Sequence, residues 1–273
     1  MSSNATVSSK VLVTGASSGI GEATAYRFAA EGHDLFLVAR RESRLAQVAE
    51  RCRGAGAGQV LFEAHDLAIP GAGTVIVDNC LRRLGGLHIL ICNAGYGFYG
   101  PVAEIPPQEM EQIWRVNYQS GYETIYRALP HFLQQAEGHI VLVSSIIGRK
   151  ALPFSAPYCV TKSAQVALGE ALHGELRSKG IGVTVVCPGF TSTEFHDSVR
   201  RRGSLPAFRR PVSGQDPQRV AKCILWALRR QLREVHLTAP GKSLLFLNRL
   251  FPSLTCRLTD WFLNRQLSRS GHY

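Results

Sequence analysis

Seven short apolar runs punctuate this chain: KVLVTG (10–15), DLFLVAR (34–40), QVLFEAHDL (59–67), LHILICNAG (87–95), GHIVLVSS (138–145), GVTVVCPG (182–189) and, more weakly, REVHLTAP (233–240). Each is short, rich in aliphatic residues and bounded by turn formers, so each reads as a strand. The segments between them have helical period, as in GEATAYRFAAEG (21–32) and ESRLAQVAERCRG (42–54), and both close on a glycine, a common helix stop. A strand that is apolar throughout must be covered on both faces, and strands separated by helices are joined in parallel. The pattern predicts an α/β protein built on a doubly wound, mostly seven-stranded parallel sheet with helices on both faces.

The 273 residues, 45% of them apolar, suffice for one such domain with elaborations. No internal repeat or linker divides the chain. The expected organisation is one domain over residues 1–241, interrupted by the exposed-looking RRRGSLPAFRRPVSGQDP (200–217), and an extension over 242–273. No run of eighteen uncharged apolar residues is present, so no membrane-spanning helix is expected. The first ten residues, MSSNATVSSK, lack the basic-then-apolar order of a secretion signal, and the expected location is the cytoplasm. Seven cysteines without a CxxC pair read as buried, reduced thiols. The net charge of +11 is unevenly placed: residues 1–199 carry 16 Lys/Arg and 17 Asp/Glu, whereas residues 200–273 carry 15 and 3. The excess of +12 is therefore C-terminal.

The first strand runs directly into TGASSGIG (14–21), where Gly15, Gly19 and Gly21 follow a GxxxGxG spacing and Ser17, Ser18 and Ile20 fill the loop. Glycine there permits a tight turn and close backbone approach, and a helix amino terminus beyond it favours a diphosphate. The segment reads as a dinucleotide site of Rossmann type, with a packing turn as the competing reading. An acidic residue at the end of the second strand would bind a ribose 2′-hydroxyl. Arg40 and Arg41 stand there instead and suit a 2′-phosphate, which favours NADP(H) over NAD. Asp66 and Leu67 close the third strand, where Asp66 either borders the adenine or serves an ordinary turn.

In APYCVTKSAQ (156–165), Tyr158 and Lys162 lie four positions apart behind Pro157, with Ser155 as the expected helix cap. On a helix the two share a face, and a neighbouring positive charge lowers the pKa of a phenol. That spacing suits a tuned acid/base group, and equally an amphipathic helix with a packed Tyr and a solvated Lys.

Over about residues 8–240 the chain resembles the short-chain dehydrogenase/reductase family. The resemblance rests on TGASSGIG, NAG (93–95), Asn117, SS (144–145), YCVTK (158–162) and PG (188–189), whose order and separations agree together. It implies a four-residue constellation. Tyr158 would be the general acid in reduction, Lys162 would lower its pKa and hold the nicotinamide ribose, Ser145 would bind the substrate oxygen, and Asn117 would anchor a water in a proton route. It further implies that Asn93, Ala94 and Gly95 border the cofactor, and that Pro188, Gly189, Thr191 and Thr193 approach its nicotinamide and diphosphate. Threonine at 191 departs from the Val or Ile common in the family. The segment after the sixth strand, about 191–216, would cover a substrate lined by Phe195, Leu205 and Phe208.

No close histidine pair suggests a metal, no GxSxG elbow is present and no nucleic-acid module is recognisable. Beyond residue 240, Leu247, Phe251, Leu254, Leu258, Trp261 and Phe262 recur at steps near three and four, interrupted at Pro252. This predicts an amphipathic helix or helix pair that either packs on its own domain or a second subunit, or lies on an anionic membrane surface. The expected function is interconversion of a ketone and a secondary alcohol with NADP(H), as a reductase and a homo-oligomer. The substrate would be small and hydrophobic, such as a 3-oxoacyl or 3-ketosphinganine type ketone, or a steroid or retinoid. The alternatives are a non-catalytic redox sensor or scaffold, or a peripheral membrane module.

Overall fold

The computed structural model describes residues 8–203 and 214–268. In chain order the elements begin β1 (Lys10–Thr14), α1 (Gly19–Ala30), β2 (Asp34–Ala39), α2 (Glu42–Gly54), β3 (Val60–Ala64), α3 (Ala72–Leu84) and β4 (Ile89–Cys92). A short strand β5 (Phe98–Tyr99) precedes α4 (Pro107–Trp114), α5 (Ser120–Gln135), β6 (Gly138–Val143), α6 (Ala156–Leu176) and β7 (Ile181–Cys187). The chain continues through β8 (Arg200–Arg201), α7 (Pro217–Arg229), β9 (Glu234–His236), α8 (Ala239–Leu250) and α9 (Pro252–Ser268).

All seven expected strands form one parallel sheet in the order β3-β2-β1-β4-β6-β7-β9. β1 lies inside it, between β2 and β4, with Val11 opposite Leu35 on one side and Ile89 on the other. Because successive side chains point to opposite faces, Leu12, Phe36, Val38, Ile140 and Leu142 pack beneath α3, α5 and α6. Val11, Val13, Leu35, Leu37, Val141 and Val143 pack beneath α1, α2 and α7. Each such fully buried aliphatic side chain contributes about 1.5–3 kcal/mol. This is why uninterrupted apolar runs were needed. The weaker strand signal near the C-terminus is the three-residue edge strand β9.

A two-stranded ribbon of β5 and β8 was not anticipated; Phe98 pairs with Arg200 and Tyr99 with Arg201. The expected helical tail is a helix pair, with Pro252 at the first position of α9, where a missing N–H breaks no helical bond.

One polar side chain sits deep in the sheet. His139, 7% exposed on β6, pairs through Nε2 with Thr184 Oγ1 at 2.9 Å, and that hydroxyl donates its hydrogen to Leu232 O. Thr184 can therefore only accept from the ring, which fixes His139 as the neutral Nε2–H tautomer. Burial holds its pKa down to about 4 from 6.5. The unfolded chain binds this proton more readily, so stability is complete above about pH 6.5 and declines as pH falls toward 4, by roughly 3 kcal/mol. His139→Gln should remove that share, seen as a smaller difference in urea midpoint between pH 7 and pH 4 than the parent shows.

Candidate active site

The sheet connections leave β1 toward β2 on one side, while β4 continues to β6 on the other. A crevice therefore opens above the carboxyl ends of β1 and β4. Thr14 stitches its floor: Thr14 Oγ1 accepts the Asn93 and Ala94 N–H groups at 3.0 and 3.2 Å and donates to Ile91 O. Asn93 Nδ2 donates back to Thr14 O at 3.0 Å. Asn93 and Ala94 are thus tied into the turn, and a Cβ on Gly95 would stand 3.0 Å from Asn117 Oδ1.

Gly15 has φ +66, and a side chain on Gly21 would run into Gly15 O. Only glycine allows this loop to fold back against the start of α1. Ser18 precedes α1 without a side-chain cap bond, which leaves the first-turn N–H groups of Gly19, Ile20 and Gly21 as potential donors for an anion. Gly19 has φ +59, and a Cβ placed on it would stand 3.1 Å from the Thr193 side chain.

At the end of β2, Arg41 reaches back over this loop. Its guanidinium donates to Ser17 Oγ at 3.3 and 3.4 Å and to Ser17 O at 3.3 Å, and to Glu194 Oε2 at 2.9 Å. Arg44 holds the other oxygen of the same carboxylate, and the Arg41 bond leads the causes that keep Glu194 below the usual carboxylate range. Glu194 escaped the sequence reading because nothing local signals a partner about 150 residues away. Arg40 is exposed beside Arg41. Asp66 is exposed and accepts the Ala68 N–H at 3.0 Å, a turn bond, while Leu67 is buried.

On the other side of the crevice, α6 carries Tyr158 and Lys162 inward, 9% and 3% exposed. Ser155 stands at the cap of this helix and accepts the Cys159 N–H through its main-chain carbonyl, but its hydroxyl makes no cap bond and turns to Pro153 O. Ser145, at the end of β6, stands beside the Tyr158 side chain; its hydroxyl donates to Pro188 O at 3.5 Å and accepts the Ile147 N–H at 3.4 Å. The Lys162 ammonium sits 5.7 Å from the centre of the Tyr158 ring. It donates to Val143 O at 2.8 Å and Gln165 Oε1 at 3.0 Å. Burial lowers the Lys162 pKa to about 8. Burial also pushes the Tyr158 phenol well up, helped by Tyr99 and opposed by the nearby Ser145 hydroxyl. Desolvation dominates, and the Lys162 ammonium is directed to other acceptors.

Asn117 lies in a π-helical turn, Arg115–Gln119, between α4 and α5. The wider turn directs Asn117 inward, 1% exposed. Its amide exchanges two 2.9 Å bonds with the Tyr96 backbone and donates to Thr161 Oγ1 at 3.1 Å. Its main-chain carbonyl accepts Gln165 Nε2 at 2.7 Å. The Gln165 amide joins Asn117 to Lys162. Gln165 was missed because one turn beyond Lys162 it reads as an ordinary helical polar residue.

The segment after β7 closes the crevice. Gly189 N–H donates to Gln215 Oε1, the Thr191 hydroxyl to Gly189 O, and Thr193 Oγ1 accepts the Phe195 N–H. The Phe195 ring lies 5.7 Å from that of Tyr158. Both belong to an apolar cluster with Phe98, Ile113, Ile147, Leu152 and Met110, so the two hydroxyls of Ser145 and Tyr158 are set in apolar surroundings. Leu205 and Phe208 lie outside the described residues. Behind the site, Cys187, Glu234 and His236 gather within 4.8 Å, but Arg149 grips both oxygens of Glu234, which commits that carboxylate to an ion pair.

A fold of this order is matched by known proteins. The family model for short chain dehydrogenases matches residues 9–203. The chain belongs to the short-chain dehydrogenase/reductase family, a family of oxidoreductases. It is 32% identical over 257 residues to dehydrogenase/reductase SDR family member 7B of Bos taurus, covering 91% of this chain and 79% of that one. Among solved structures, a Burkholderia phymatum family member in complex with NAD superposes with a TM-score of 0.81 at 26% identity, covering 90% and 95% of the two chains. The bulky-bulky ketone specific alcohol dehydrogenase of Comamonas testosteroni gives 0.73 at 27% identity, covering 89% and 92%.

Gln165→Leu deletes an acceptor for a buried charge and leaves the Asn117 carbonyl without its donor, a loss of about 1.5–3 kcal/mol. The Lys162 pKa should drop further below about 8, since the lost bond favoured the charged form. Lysine-selective NMR titration reads this; an unmoved pKa would mean that Gln165 merely fills space.

Proposed function

We propose that the protein is an NADP-dependent reductase converting an apolar ketone to a secondary alcohol. The observation that carries this reading is the Ser145 hydroxyl beside the Tyr158 phenol, set in an apolar cluster next to a glycine loop and an uncapped helix start. The loop fits a dinucleotide: its backbone packs too closely for any side chain, and α1 offers N–H groups to a diphosphate. Gly15, Gly19, Ile20, Gly21 and Thr193 would hold the diphosphate, Arg41 a 2′-phosphate, and Lys162 the nicotinamide ribose. The Burkholderia neighbour holds NAD, so the preference for NADP rests on Arg41, with Arg40 beside it and no acid at the end of β2.

When bound, such a cofactor supplies a hydride to the carbonyl carbon. Negative charge then grows on the ketone oxygen, where Ser145 donates a hydrogen bond and Tyr158 delivers the phenolic proton, giving the alcohol. The raised Tyr158 pKa keeps that proton in place at neutral pH, which suits an acid and therefore reduction. Lys162, charged below about pH 8, favours the phenolate left behind, and Gln165 with Asn117 holds its ammonium. The apolar cluster excludes water and favours a bulky hydrophobic ketone, in keeping with the ketones named for the Comamonas relative. Lipid-like ketones fit these surroundings better than sugars.

NADPH consumption with a panel of bulky ketones tests this. Tyr158→Phe should lower kcat at least about 100-fold with the fold intact, and an unimpaired variant would sink the assignment. The parent rate should fall as pH rises through about 8, where Lys162 loses its proton. Arg41→Ala should raise the NADPH KM at least about tenfold while sparing NADH; equal losses would reverse the cofactor choice.

A further inference from the structure

The densest apolar exposure among the described residues lies on the last two helices. Phe246, Leu247 and Leu250 on α8, Phe251 at the joint, and Leu254, Leu258 and Trp261 on α9 are each at least 44% exposed. Phe246, Leu247 and Leu250 share one helical face, as do Leu254, Leu258 and Trp261. Lys242, Arg249 and Arg257 are exposed on the same two helices, with Asp260 as their exposed acid. No described helix is long and apolar enough to cross a membrane.

This pair grows from the rim of the cleft. Thr238 Oγ1 caps α8 through the Gly241 N–H, and Thr238 lies against Gly189, where a Cβ would stand 3.0 Å from it. Gly241 packs on Ile146, the neighbour of Ser145, and Lys150 Nζ donates to Cys256 Sγ on α9 at 2.9 Å. The helices and the substrate side of the cleft are therefore neighbours.

We propose that α8 and α9 form a docking surface for an anionic lipid bilayer. The apolar faces enter the boundary between headgroups and acyl chains, and Lys242, Arg249 and Arg257 meet lipid phosphates. A second copy of the chain fits less well. A two-fold interface matches a surface with itself, which would set these three cations against one another with Asp260 as counter-charge. Docking would bring the mouth of the cleft toward the source of an apolar substrate, although the surface itself is argued independently of catalysis.

Flotation of the full chain with phosphatidylcholine vesicles, with and without phosphatidylglycerol, tests this. Binding is expected to the anionic vesicles and to fall with salt. Arg249→Gln with Arg257→Gln should weaken it roughly 30-fold, and Leu250→Ser with Leu254→Ser about tenfold or more. All four side chains are exposed, and an unchanged melting temperature checks the fold of each variant. No preference for anionic vesicles, or binding that survives both double substitutions, overturns the proposal. So does a dimer that ignores vesicles and dissociates on Leu250→Ser with Leu254→Ser, since the surface would then serve a second copy.

Discussion

Seven parallel strands place all their carboxyl ends on one edge of the sheet, and the site depends on that constraint. Each crossover helix returns the chain to the opposite edge, so every strand re-enters the sheet in the same direction. Residues 15, 41, 93, 145 and 189 are scattered through the sequence, yet each follows the end of a strand. They meet because the hydrogen-bonding of a parallel sheet leaves them one edge on which to emerge. The reversal of strand order between β1 and β4 opens the space they share.

Within that space the most demanding group is the Lys162 ammonium. Its pKa, lowered from 10.5 to about 8, corresponds to roughly 3 kcal/mol of lost solvation for the charged form. Val143 O and Gln165 Oε1 supply the acceptors that offset it. Gln165 in turn leans on the Asn117 carbonyl, which the π-helical turn between α4 and α5 brings within reach. The chain thus joins the end of β6, the middle of α6 and an irregular helical turn into one polar network inside an apolar wall. Disturbing any member leaves a buried polar atom without a partner.

Much of this was legible in the residues. The strands announced themselves through continuous aliphatic runs, and the glycine loop through a spacing that backbone geometry demands. Pro252 marked the break between the last helices. Other features were not legible. Ser155 stands at the cap position, yet its hydroxyl makes no cap bond because it reaches Pro153 O. Tyr158 and Lys162 share a face as expected, but burial, which no local pattern reveals, sets the pKa of each. Glu194 joins Arg41 and Arg44 over a sequence distance at which pattern is silent.

The sequence by itself determined the elements, their parallel arrangement and the residue types gathered at the crevice, since hydrophobic period and glycine placement are local properties of the chain. Tertiary structure decided which of those residues are buried together, which cation faces which acceptor, and that Gln165 bridges Asn117 to Lys162. Those outcomes turn on desolvation and on distances between segments remote in sequence. Neither exists until the sheet and its helices have closed around them.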